Sequence, residues 1–431
     1  MNPLTKRPWH FTSLTVLAVL LLIQPVSAYS VFTHEEVVDL AWDSSIRPLL
    51  VSRFPGSTDE QLRQAHAYAY GGCTIQDLGY YPFANQFFSN LTHYVRSGDF
   101  VSRLLNDSRT LDEYAFALGA LSHYFGDSIG HSDATNLATP IAFPKLEQKY
   151  GPVVTYDEDP HAHVRTEFGF DIGQLSKRTF APPSYMRHVG FRVPRSLLDR
   201  VFRETYGFEI PELVGKTRPA VRSYRSSVRS FIPAFAGAEI VLHHRQFPPD
   251  TLSDSYHLFS ERLQRADYER HWKAGYRGPG FGSHILAIVV KILPKVGVVS
   301  LLAIKIPDAK TEDFYVDSVN RTVDAYAEIL SRLRNDPDAI LALQNLDLDT
   351  GKAVKPGTYR LADETYAQLL DRLSSRPGRP IPAELRQNIL DFYADPNAPI
   401  HTKKDPEAWK RVQFELQSLK ENPAHDGAPS H

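Results

Sequence analysis

His123, Asp127 and His131 fall at successive steps of four in the run His-Tyr-Phe-Gly-Asp-Ser-Ile-Gly-His. On a helix each such step turns the side chain by only ~40°, so all three project from one face and could converge on metal. A buried His–Asp pair held together by hydrogen bonds gives the same pattern, and 17 histidines make a chance triplet possible. Downstream, His163 and Glu167 repeat the motif of a histidine and a carboxylate one turn apart, just before Phe168-Gly169. Upstream stand His34, Asp77 in the loop Gly71-Gly72-Cys73-Thr74-Ile75-Gln76-Asp77, and His93. Taken singly, each of these three is more often a surface or core polar residue than a ligand. Together they are the imidazoles and carboxylates that zinc accepts.

The elements that must position these groups read as all-α. Leu111 to Phe125 carries apolar residues at helical intervals, and so does Pro219 to Ile240 apart from a kink expected at Pro233. No strand ladder is evident between breaks such as Phe54-Pro55-Gly56 and Ala181-Pro182-Pro183. A catalytic segment over 29–250 is expected to end near Pro248-Pro249, followed by a helical accessory region, 251–420, and a disordered tail, 421–431. The accessory region opens with a polar helix, Leu252 to Tyr276, and a turn at Gly278-Pro279-Gly280. Ile285 to Ile306 is apolar but interrupted by Lys291, Pro294, Lys295 and Lys305, which argues against a membrane span. It reads as a core helix pair or as a surface that docks on lipid. Ala339 to Leu343 and Thr365 to Leu373 read as helices joined by a turn at Asp349-Thr350-Gly351. Asn345, Asp347 and Asp349 give that turn a faint calcium-loop pattern, but the glycine comes one place late and Pro356 replaces the closing carboxylate, so an ordinary turn is expected.

With 48 Lys+Arg against 50 Asp+Glu, the 431-residue chain has no global field to draw nucleic acid or an acidic membrane. Any attraction for phosphate must be local. The single cysteine, Cys73, rules out an internal disulfide. Lys6 and Arg7, the apolar run Leu14 to Ile23, and Val26-Ser27-Ala28 together have the form of a secretory signal, with the mature chain expected to begin at Tyr29. An uncleaved anchor fits less well, because the apolar run falls short of the ~20 residues a spanning helix needs.

The order His34, Asp77, His93, His123, Asp127, His131, His163, Glu167 resembles the zinc-dependent phospholipase C family over about 29–175. The Asp127-to-His131 step and the phrase Glu167-Phe168-Gly169-Phe170-Asp171 look closest to its glycosylphosphatidylinositol-specific phospholipase D branch. The resemblance implies a helical phospholipase C/nuclease-type domain with up to three zinc ions. By it, His34 and the amine and carbonyl of Tyr29 hold one ion, His93 and His123 another, and His131, His163 and Glu167 the third, with Asp127 bridging the first two. Many members carry tryptophan where Tyr29 stands, but backbone atoms do the ligating there. Asp77 is a ligand or the base that takes a proton from water, and Asp171 and His161 are candidates to orient a ligand. His161 could also replace His163 as ligand.

Eight side chains and a terminal amine exceed what one zinc takes, and three dications against three carboxylates leave a net charge of about +3. Such a place draws a phosphodiester. Metal-assisted hydrolysis of phospholipid is therefore the leading expectation, of C type or D type, with peripheral membrane contact. A single-strand nuclease of the same fold and a structural zinc protein without turnover are the alternatives. Balanced charge with no basic run near the site disfavours the nuclease. Tyr80-Tyr81-Pro82-Phe83 reads as core packing or as a wall facing a lipid. Of the sequons at Asn90, Asn106 and Asn320, the first is expected to stay unmodified because of its closeness to His93. Oligomeric state leaves no signal in the sequence.

Overall fold

The computed structural model describes residues 31–214, 217–243, 246, 253–276, 283–284, 286–287, 304–376 and 378–421. The expected signal segment, Tyr29, the junction at 248–249, the turn at 278–280, most of the apolar stretch 285–306 and the tail after 421 lie outside the described residues. Nine helices frame the site: α1 (Val31–Ala41), α2 (Asp59–Gly72), α3 (Gln86–Tyr94), α4 (Ser97–Asn106), α5 (Leu111–Gly130), α6 (Asn136–Ala142), α7 (Pro160–Lys177), α8 (Ala309–Asn335) and α9 (Arg360–Ser374). Among the described residues the exception to helix and loop is a two-residue antiparallel ladder, with Leu346 opposite Ala353 and Asp347 opposite Lys352. The fold is all-α, as expected.

Local signals explain where the helices start. Thr58 closes a reciprocal cap with Gln61 ahead of α2, Thr110 accepts the Glu113 amide at the head of α5, and Asp159 accepts the Ala162 amide with Pro160 in the first turn of α7. Two glycines then allow α2 and α5 to cross at backbone contact. A Cβ on Gly72 would stand 2.0 Å from the Phe116 carbonyl oxygen, and one on Gly119 would stand 2.1 Å from that of Ala69. No side chain fits there.

α5 does not stop at Gly130 but widens into a π turn over His131–Thr135 before α6 resumes. Such wide turns re-aim side chains and recur at functional sites. Another π turn, Ser227–Phe231, precedes Pro233 where a kink was expected, because proline has no N–H to give and crowds the carbonyl four residues back. The polar helix expected over 252–276 is broken at Ala266, whose extended backbone separates Asp254–Arg265 from Asp267–His271.

Ala339 to Leu343 has no regular secondary structure and is not helical. Its backbone finds partners on α4 instead of within itself: Leu341 pairs with the amide of Asn106 through both its N–H and its carbonyl, and the Leu343 N–H donates to Ser102 Oγ. Side chains of a neighbouring helix have outcompeted helical bonds that five residues could not sustain alone. The late helix α8 lies on the same apolar core as the early ones, with Tyr315, Val319 and Tyr326 buried beside Val37, Leu118 and Leu121. No helix among the described residues is long and apolar enough to cross a membrane.

Candidate metal centre

α1, α3, α5 and α7 and the 3₁₀ turn Ile75–Tyr80 each deliver one or more polar side chains to a common interior. His34, Asp77, His93, His123, Asp127, His131, His163 and Glu167 are all at most 2% exposed. Burying so many ionisable groups is costly unless something else binds them.

Their atoms form three groups. His34, His123 and Asp127 meet in one, Asp77, His93 and His123 in a second, and His131, His163 and Glu167 in a third, with the ligand-type atoms of each group within 4.8 Å of one another. Asp127 lies at the centre of the first two: its Oδ1 is 3.3 Å from His34 Nε2, and its Oδ2 is 3.2 Å from His93 Nε2 and 2.9 Å from His123 Nε2. Asp77 Oδ1 lies 3.5 Å from His93 Nε2. In the third group Glu167 Oε1 is 2.8 Å from His163 Nδ1 and 3.4 Å from His131 Nε2. The His123-Asp127-His131 triplet therefore splits. One further step of ~40°, at the start of the π turn, carries His131 away from Asp127 to face α7.

The outward nitrogens decide the tautomers. His93 Nδ1 donates to the Ser89 carbonyl at 2.8 Å, His123 Nδ1 to the Cys73 carbonyl at 2.9 Å, and His131 Nδ1 to the Leu348 carbonyl at 3.2 Å. His163 is reversed, its Nε2 lying 2.9 Å from Asn136 Oδ1. Each of these acceptors holds the ring proton outward, so each inward nitrogen presents a lone pair. Those inward nitrogens, and both oxygens of Asp77 and of Asp127, are buried without a hydrogen bond of good geometry. Such groups fit a metal ion well. Burial depresses the His34 and His163 protonation equilibria, helped by neighbouring His123 and His131 respectively. Burial acts the same way on His93 and His123, but the carboxylates of Asp127 and Asp77 outweigh it and raise both. Despite its burial, Asp127 is held well below the usual carboxylate range, by His123 first and then by bonds to His34 and His93.

Residues 33–210 match the family model described as zinc dependent phospholipase C. Over that stretch the chain is similar to the zinc-dependent phospholipase C family. The matched family is one of zinc-dependent phosphodiesterases, and the buried imidazoles and carboxylates are groups that zinc accepts. No curated protein and no solved structure matches the chain.

Around this polar interior, the two supporting residues suggested by sequence fare differently. His161 is exposed, roughly half a turn from His163 and so on the opposite face of α7. Asp171 is buried. It accepts the Phe32 and Thr33 amides at 3.0 and 3.2 Å and the Thr33 hydroxyl at 2.6 Å, so it caps the first turn of α1, which carries His34. In the aromatic run, Tyr80 and Tyr81 are core residues, Tyr81 packing on Tyr224, while Phe83 is 65% exposed. Of the sequon residues, Asn320 is buried and donates to the Ser255 carbonyl.

Sequence reasoning missed Asn136 and the turn around Leu348 and Asp349. Asp349 is fully buried, its Oδ2 receiving the hydroxyls of Tyr94 and Tyr359. The misplaced glycine that argued against a calcium loop has its own reason: Gly351 adopts φ +66, and a Cβ there would stand 2.3 Å from the Ser128 carbonyl oxygen. Only glycine lets the turn lie this close against the end of α5.

Proposed function

We propose that the chain is an exported phosphodiesterase that hydrolyses phospholipids at a site for three zinc ions. One observation carries this reading: histidines whose outward nitrogens are committed to oxygen acceptors turn their inner nitrogens toward buried carboxylates, in three adjoining groups. A structural zinc site would be closed by four ligands of its own, whereas the first two groups share His123, and Asp127 of the first also lies 3.2 Å from His93 of the second.

In this reading His34 and the amine and carbonyl of Tyr29 serve one ion, His93, His123 and Asp77 the next, and His131, His163 and Glu167 the third, with Asp127 shared between the first two. Bound zinc supplies positive charge for the phosphodiester and lowers the pKa of water toward ~7. Asp77 contributes one oxygen as ligand and keeps the other to receive the proton of the attacking water. Asp171 serves indirectly, by fixing where α1 begins and so where His34 points. Export rests on the signal-like first 28 residues, and cleavage before Tyr29 would create the terminal amine that the site uses. We keep the division into a catalytic segment, 29–250, and a helical accessory region, 251–420.

The test is metal analysis of the secreted protein together with parallel assays on phosphatidylcholine, phosphatidylinositol and single-stranded DNA, with and without chelator. About three zinc ions per chain and chelator-sensitive lipid hydrolysis are expected. Diacylglycerol as product marks the C-type cut, phosphatidate the D-type. Cleavage of DNA alone would make the chain a nuclease, and zinc without turnover would make the site structural.

A further inference from the structure

Leu348 and Asp349 reach the third group of ligands from 217 residues beyond His131, outside the stretch that matches the family. Three contacts join them to it. The Leu348 carbonyl takes the proton of His131 Nδ1, and Asp349 Oδ1 lies 3.5 Å from that same nitrogen. The Asp349 carbonyl accepts from the Asn136 side-chain amide at 2.8 Å. Because a carbonyl can only accept, it turns the NH₂ of Asn136 toward itself and the oxygen toward His163. That oxygen in turn holds the proton on His163 Nε2 and leaves Nδ1 for Glu167 and a metal.

We propose that Asp349 is a positioning residue for the zinc ion held by His131, His163 and Glu167. Its main chain sets the tautomer of His163 through Asn136. Its carboxylate, clamped by the hydroxyls of Tyr94 and Tyr359, pins the turn so that Leu348 faces His131. Two of the three ligands of one ion thus owe their orientation to a turn late in the chain, while the group around Asp127 owes it to Ser89 and Cys73. The inference rests on the three-zinc reading and adds to it a dependence of one ion on a distant segment.

Selectivity is the readout, since general loosening of the protein would weaken all three ions alike. In Asp349→Ala and in Asn136→Leu, zinc counted by elemental analysis during dialysis against graded chelator should leave in two phases. One ion is expected to leave at ~10–100-fold lower chelator than in the parent and two unchanged, the range typical of residues that orient a metal ligand. If Asp349→Ala fails to fold, Tyr359→Phe removes one hydroxyl from the same clamp and should move the same ion by several-fold. Uniform weakening of all three ions, or parent-like retention in folded variants, overturns the proposal. His163→Ala is the reference: loss of one zinc there with none lost more easily in Asp349→Ala defeats the proposal alone, whereas full retention in His163→Ala defeats the three-zinc reading beneath it.

Discussion

Nε2 of His123 lies 2.9 Å from Oδ2 of Asp127, one turn further along α5, while the other oxygen of that carboxylate is 3.3 Å from His34. A single rigid helix thus presents both a ligand-type nitrogen and the carboxylate that two groups have in common.

Removing the shared carboxylate should empty both groups together. Asp127→Ala is expected to retain about one zinc of three, and phospholipid hydrolysis should drop by at least ~10³-fold, as befits loss of metal-borne charge stabilisation. Elemental analysis of the purified variant checks this, and retention of two or more ions would contradict a sharing role.

The third group should behave independently. Glu167 contacts His131 and His163 and belongs to neither group around Asp127. Glu167→Ala is therefore expected to lose one ion and keep two, and its effect on zinc content should add to that of Asp127→Ala. Cooperative loss of all three ions from Glu167→Ala would show the groups to be a single unit.

The close crossing of α2 and α5 sets a stability prediction. A methyl group at residue 119 would meet the Ala69 carbonyl oxygen at 2.1 Å, and backbone cannot yield as a side chain can. Gly119→Ala should cost ~2–4 kcal/mol despite its better helix propensity, in line with overpacked backbone contacts. Urea denaturation of the zinc-loaded protein measures it; an unchanged midpoint would mean that the helices separate freely.

Glu415, on the last helix Pro406–Glu421, gives a pH signature away from the metals. Burial, reinforced by Asp371, raises its carboxyl to about 7 from an ordinary 4.5. A folded-state value above the unfolded one means the proton binds more tightly in the folded chain. The resulting stability is complete below pH ~4.5 and is lost as pH rises through about 7. Glu415→Gln should flatten the part of the melting-temperature decline between pH 5 and 8 that this group causes, with a gain of order 1–2 kcal/mol at pH 8. Parallel slopes for parent and variant would contradict it.

Much of the site's composition was legible because steps of four on a helix bring His163 next to Glu167 and His123 next to Asp127, a local geometry that spacing encodes directly. What spacing cannot encode is partnership across hundreds of residues. Asp349 looked like part of an ordinary turn because its significance lies in Tyr94, Asn136 and His131, none of them near it in sequence. Ala339 to Leu343 misled for the same reason: its apolar pattern suits a helix, but Ser102 and Asn106 offered its backbone other partners. The reach of Asp171 to the amides of Phe32 and Thr33 was equally invisible.

The turn that carries Leu348 and Asp349 also bears on when the enzyme becomes active. A growing chain holds Glu167 long before it holds Leu348, and closing a loop of 217 residues carries an entropic cost that nearby contacts do not. Until that loop closes, His131 lacks its outward acceptor, and the last ion has no finished cradle. A chain grown only as far as Glu167 therefore carries the ligands of the third group but not the acceptor that orients His131.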